Sequence, residues 1–111
     1  DVLKVMEEES GISLNTLRVD GGASINNFLM QCQADIIGSP VERPKCIETT
    51  AMGAAYLAGL SVGYWENKED VIKNRRTERI FQPHISDSER EKKVKGWNKA
   101  VKYAYGWAKE D

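Results

Sequence analysis

Gly21 and Gly22, flanked by Asp20 and Ala23 and followed by Asn26, are the residues whose types and spacing could do chemistry. Adjacent glycines accept positive φ and carry no Cβ, so a ligand can approach their backbone closely. The apolar stretch Leu17-Arg18-Val19 before them reads as a short buried strand, and the residues after them as the opening of a helix. Such a helix would aim free N–H groups and the positive end of its dipole back at the turn. A phosphorylated ligand is the natural guest there. A plain strand-to-helix connection would leave the same trace, and Gly-Gly alone does not separate the two.

Few other residues offer chemistry. A lone histidine, His84, leaves no acid–base dyad, no Ser-His-Asp arrangement and no zinc set. Asp20 sits where a general base could, but its side chain is better suited to holding the turn by local hydrogen bonding. Cys32 falls on the apolar side of a predicted helix and Cys46 in a loop. Both are expected to be reduced structural thiols, with no disulfide and no metal.

The balance of 16 Lys and Arg against 17 Asp and Glu, a formal net charge of -1, gives no reason to expect nucleic acid or an anionic membrane as partner. No apolar run approaches the roughly 20 residues that span a bilayer, and no basic, apolar leader opens the chain. A cytoplasmic protein is expected. With 111 residues there is room for one small core. The opening Asp1-Val2-Leu3-Lys4-Val5-Met6 resembles the later part of an amphipathic helix without an initiator Met, as in a piece of a larger protein.

The elements that must position the turn follow from pattern. A first helix with Val2, Leu3, Val5 and Met6 on its apolar side ends at Gly11. A strand over 17–20 leads into the glycines. The next helix, capped by Ser24 or Asn26, has Phe28, Leu29, Cys32 and Ile36 as its inner face and closes at Gly38. Val41-Glu42-Arg43 forms a short strand whose charges suggest a sheet edge. Thr49 and Thr50 offer caps for a third helix rich in Ala and Gly, read as a helix packed tightly on a neighbour. Residues 64–82 read as a charged surface excursion with a short helix over 68–72, docked by Ile80 and Phe81. The capping box Ser86-x-x-Glu89 opens a long last helix. Its stripe Val94, Trp97, Val101, Ala104, Tyr105 and Ala108 reads as a docking face. The class is α/β: three helices alternating with two strands, a surface segment, and a long C-terminal helix.

Three blocks stand in order: LRVDGGASINNFLMQCQA at 17–34, VERP at 41–44 and ETTAMGAAYLAGLSVG at 48–63. Gly63-Tyr64-Trp65 and the run from Gly96 to Val101 follow. Together they resemble the C-terminal half of the ATP-binding domain of the FGGY carbohydrate kinases, in particular members that act on glycerol. The resemblance is weakest at 1–12 and 66–82. It implies that residues 1–111 are the C-terminal part of that domain, within an actin-like, ribonuclease H-like ATPase fold with a mixed sheet edge. It implies ATP with magnesium, transfer of the γ-phosphoryl to glycerol, and a homo-oligomeric parent. It places Gly22 against the nucleotide and the Asn26 amide within its reach, with Gly21 and Ala23 shaping the same wall. Asn26 could then read a ribose or adenine edge, although a helix cap accounts for it equally well. The proton-accepting aspartate, the magnesium site, the phosphate-gripping loop and the glycerol pocket would all lie upstream. No catalytic residue is therefore expected in this stretch, and the isolated segment should be inactive. The competing expectations are another sugar kinase of the family, a non-kinase actin or heat-shock type ATPase, or a last helix that chiefly binds a subunit or regulator through residues 89–95.

Overall fold

A computed structural model describes residues 1–107 of the chain. Helix α1 (Val2–Ser10) stops at Gly11, whose φ of 67° is left-handed and whose N–H donates to the Glu7 carbonyl at 2.9 Å. The chain then returns through β1 (Leu17–Arg18), shorter than the expected 17–20, although Val19 N–H still donates to the Glu42 carbonyl at 3.1 Å. A single 3-10 turn over Gly22–Ile25 precedes α2 (Asn27–Ile37). Next come β2 (Val41–Pro44), α3 (Thr49–Ser61), α4 (Lys68–Asn74), β3 (Thr77–Phe81) and α5 (Asp87–Ala104).

The three strands form one sheet in the order β1-β2-β3. β1 pairs with β2 in parallel, Leu17 opposite Val41, with α2 as the crossover such a pair requires. β3 pairs antiparallel with β2, Val41 opposite Phe81, with a register shift between Arg43 and Pro44. β2 is therefore the central strand, not an edge. Its charged residues misled because each has a partner: Glu42 is reached by Arg18 and Arg75, and Arg43 by Glu78. The third strand hides in the segment read as surface excursion. Four of its five residues are exposed, and only Phe81, docked as expected, is buried; Ile80 is not.

The core is Met30, Ala34, Val41 and Phe81, with Leu17, Val19 and Ile37 packed against it. The inner face of α2 is thus Met30, Ala34 and Ile37, spaced four and three residues apart. It replaces the expected Phe28, Leu29, Cys32 and Ile36: Phe28 is 79% exposed, and only Cys32 is half-buried. Both stripes repeat at helical spacing, and contact with Val41 and Phe81 of the sheet selects Met30 and Ala34.

Two other helices also differ from expectation. The expected threonine caps of α3 are absent: its cap position is Glu48, without a side-chain bond, and Thr49 turns instead to Asp20. Nor does α3 pack tightly within the chain, for it buries none of its residues. One of its glycines has a local use. A Cβ on Gly59 would lie 2.5 Å from Trp65 Cδ1, so the missing side chain lets Trp65 fold back beside Tyr56 and Tyr64. The α5 stripe docks only in part, with Val94 and Val101 half-buried and Trp97 and Tyr105 exposed; Ala108 lies outside the described residues. What holds α5 to α2 is Arg90, whose Nε donates to the Asp35 carbonyl at 2.7 Å.

The radius of gyration is 18.5 Å, against roughly 13 Å for a compact chain of this length. Much apolar surface, including Leu57 of α3 and Val62 just after it, is uncovered.

Candidate functional site

β1 and β2 run parallel, so the turn leaving β1 and the loop leaving β2 emerge side by side at their carboxyl ends. Ligands of open α/β sheets bind at such ends. The two connections are joined directly, Gly21 N–H donating to the Ile47 carbonyl at 2.8 Å. The Thr49 hydroxyl donates to the Asp20 carboxylate just beside this bond. Asp20 thus holds the turn, as expected, but by a link to the start of α3 rather than within the turn.

Of the glycine pair, Gly21 carries the unusual backbone, with φ 77° and ψ 171°, and Gly22 opens the 3-10 turn. A Cβ at either position would meet nothing within 4 Å, so both open onto free space. Ser24 is the turn's inward residue, buried and donating from its hydroxyl to the Gly21 carbonyl at 2.7 Å. Gly22, Ala23, Ile25 and Asn26 are exposed. Four of the sequence-derived candidates, Gly21, Gly22, Ala23 and Asn26, therefore lie on one short, rigidly held segment. Ile25, exposed on the same segment, is an apolar neighbour that periodicity did not single out.

Asn26 caps α2, its Oδ1 accepting from Leu29 N–H at 3.0 Å. Ser24, the other candidate cap, does not. The cap uses only the oxygen, which leaves the two amide donors free to serve another acceptor. Because α2 starts at Asn27 and is capped, its N-terminus does not open directly on the glycine pair, as a helix beginning at once would.

Beneath the turn lies a residue that sequence reading missed. Arg43 is 7% exposed, on the same face of β2 as Val41, because side chains two apart along a strand share a face. That face carries α2 and the turn. Its Nη1 donates to the carbonyls of Ser24 at 2.8 Å and Ile25 at 3.1 Å, and its Nη2 to Asn27 Oδ1 at 2.9 Å. Nε donates to Glu78 Oε2 at 2.8 Å, and the guanidinium carbon lies 5.2 Å from the centre of the Phe81 ring. Charged donors make hydrogen bonds roughly twice as strong as neutral ones. An arginine in a strand otherwise read as an edge gave no signal for this role.

An open cleft of about 760 Å³ adjoins the turn through Asp20 and is also lined by Lys45, Thr49, Tyr56 and Arg76. Gly21, Gly22, Ala23 and Asn26 do not line it. The cleft is a neighbour of the turn, not the same site. Among the described residues no group of three or more His, Cys, Asp or Glu side chains could hold a metal ion. No helix among them is long and apolar enough to cross a membrane.

Comparison with known proteins bears on this geometry. Residues 1–62 match the model of the FGGY family of carbohydrate kinases, C-terminal domain. The chain is 60% identical over all 111 residues to a glycerol kinase of Agathobacter rectalis. It is 59% identical over 110 residues to a glycerol kinase of Caldanaerobacter subterraneus subsp. tengcongensis. It spans 22% of the length of each of these relatives. Among solved structures, a glycerol kinase of Plasmodium falciparum with ADP superposes with a TM-score of 0.83 at 38% identity, over 94% of this chain and 21% of that one. A ligand-bound xylulose kinase of Lactobacillus acidophilus superposes with a TM-score of 0.69 over 86% of this chain and 19% of that one. At 17% identity, that second likeness shows the fold alone.

Proposed function

The chain belongs to the FGGY family of carbohydrate kinases, and on that premise we propose that it forms one wall of the nucleotide site in an ATP-dependent glycerol kinase. The parent transfers the γ-phosphoryl of ATP to a hydroxyl of glycerol, giving glycerol 3-phosphate. The observation that carries the substrate choice is the 60% identity to a glycerol kinase along the whole chain. The likeness to a glycerol kinase solved with ADP supports the nucleotide.

Gly22 is open to close backbone approach, and Asn26 keeps its amide donors for a ribose or adenine edge while its oxygen caps α2. Gly21 and Ala23 complete the wall, and the exposed Ile25 offers an apolar surface to the base. In this role the segment orients the nucleotide. Such positioning supplies much of the catalysis of phosphoryl transfer.

Magnesium neutralises phosphate charge in transfers of this class. In this reading its ligands belong to the rest of the parent. The glycerol pocket and the proton-accepting base belong there too. Residues 1–111 are in this view the C-terminal part of an actin-like, ribonuclease H-like ATP-binding domain. The bare sides of α3 are then covered by the remainder of that domain, as suits a helix apolar all round. A cytoplasmic, homo-oligomeric enzyme fits the same family.

The test is an ATP-dependent glycerol phosphorylation assay on the intact parent and on the 111-residue chain. The parent should turn over glycerol in preference to pentoses and hexoses, and the isolated chain should not turn over at all. Preference for another sugar would refute the substrate, and turnover by the isolated chain would refute the upstream base.

A further inference from the structure

We propose that Arg43 is a positioning residue for the nucleotide, setting the angle at which Gly22 and Asn26 face it; this rests on those two residues forming the nucleotide wall. Arg43 itself is buried and makes no bond to Gly22 or to the Asn26 amide. It acts through the backbone, because its guanidinium is bonded to the last two carbonyls before Asn26 and to the side chain of Asn27 just after it. The residue that presents its amide outward is thus bracketed on both sides by one buried cation.

The geometry requires arginine. Three acceptors are satisfied from one edge of the guanidinium plane while Nε faces Glu78, a fork that an ammonium point charge cannot reproduce. Glu78 reaches this site from β3, so the third strand fixes the Arg43 head group from the side opposite the turn. Phe81, also on β3, packs against the guanidinium and is itself part of the core. The chain from core to wall is therefore Phe81 and Glu78, then Arg43, then the carbonyls of Ser24 and Ile25, then Asn26. A turn held by its own backbone alone would need none of this. At its two ends the turn is closed by backbone bonds from Ser24 N–H to the Gly21 carbonyl and from Asn26 N–H to the Ala23 carbonyl, at 3.1 and 3.2 Å.

The test uses the intact parent with Arg43→Lys, Asn26→Ala, the double variant and Glu78→Gln, measuring KM for ATP and for glycerol together with the melting temperature. Arg43→Lys should raise KM for ATP by about five- to tenfold, leaving KM for glycerol within about twofold. Combined with Asn26→Ala, it should add less than the product of the two single effects, since both act on the same contact. Glu78→Gln, on the exposed side of the pair, should move KM for ATP in the same direction by less. If Asn26→Ala weakens ATP and Arg43→Lys does not, the positioning role is wrong and the wall stands. If Asn26→Ala leaves ATP unaffected, the wall is wrong and the positioning role falls with it. Multiplicative effects in the double variant, or equal rises in both Michaelis constants, would reduce Arg43 to a structural residue and overturn the proposal. Should Arg43→Lys fail to fold, Glu78→Gln decides: a folded variant with wild-type KM for ATP overturns it, and a raised one supports it.

Discussion

The hydroxyl of Thr49, first residue of α3, donates a hydrogen bond to the carboxylate of Asp20, the residue before the glycine pair. With the bond from Gly21 N–H to the Ile47 carbonyl, it ties the turn after β1 to the start of α3. Asp20→Ala and Thr49→Val in the parent should therefore share one phenotype. Each should raise KM for ATP several-fold with kcat reduced by less than about tenfold, as expected for loss of one hydrogen bond. A kcat loss of about 10²–10⁴ for Asp20→Ala alone would instead mark Asp20 as a proton acceptor.

Asp35 joins α2 to the entry of α5. His84 N–H donates to its Oδ1 at 2.7 Å, and this bond, helped by Gln31 and Arg90 and opposed by partial burial, holds the carboxyl below the ordinary aspartate range. A depressed folded value means the stabilisation is complete above the unfolded value and is lost as pH falls through the folded one. The amide protection factor of His84 should accordingly drop as pH is lowered from about 5 to about 3. Asp35→Asn should remove that dependence. A protection factor indifferent to pH would show that the carboxylate charge does not fasten this junction.

Gly59 makes room for Trp65, whose backbone N–H also donates to the Gly59 carbonyl at 3.2 Å. Alanine there raises helix propensity by roughly 0.5–1 kcal/mol but forces an overpacked contact costing about 1–3 kcal/mol. Gly59→Ala should lower the melting temperature of the parent, and Trp65→Leu should abolish most of that extra loss. An unchanged or raised melting temperature would mean that Trp65 moves aside freely.

The strand, the glycine turn, a cap at Ser24 or Asn26 and the left-handed helix stops at Gly11 and Gly38 were legible because each depends on local chemistry: a missing Cβ, a side-chain acceptor, a short apolar run. The face of α2 was not, because Phe28, Leu29, Cys32 and Ile36 and the stripe Met30, Ala34 and Ile37 both repeat at helical spacing, and only contact with the sheet separates them. β3 was hidden for a different reason. An outer strand of Thr77, Glu78, Arg79 and Ile80 with one buried Phe81 has no apolar alternation to read. Missing β3 also misplaced β2 and concealed Arg43, since a charged strand looks like an edge until its neighbours are known. Asn27 shows the consequence for the site. Nothing in the sequence separates it from Asn26, yet its side chain accepts from a buried guanidinium.

The central claim is that Gly22 faces ATP, and Gly22→Val in the intact parent tests it most directly. Its backbone φ is not in the left-handed region, and a Cβ there meets no protein atom within 4 Å, so the fold can accept the valine. Gly21, at φ 77°, cannot serve as well, because an L-residue in that region costs on the order of 1–2 kcal/mol by itself. The melting temperature and KM for glycerol of Gly22→Val should therefore stay near wild type. KM for ATP should rise by about tenfold or more, as a branched side chain intrudes where the nucleotide approaches the backbone. A folded Gly22→Val enzyme with wild-type KM for ATP would contradict the nucleotide wall and leave the turn as a plain strand-to-helix connection.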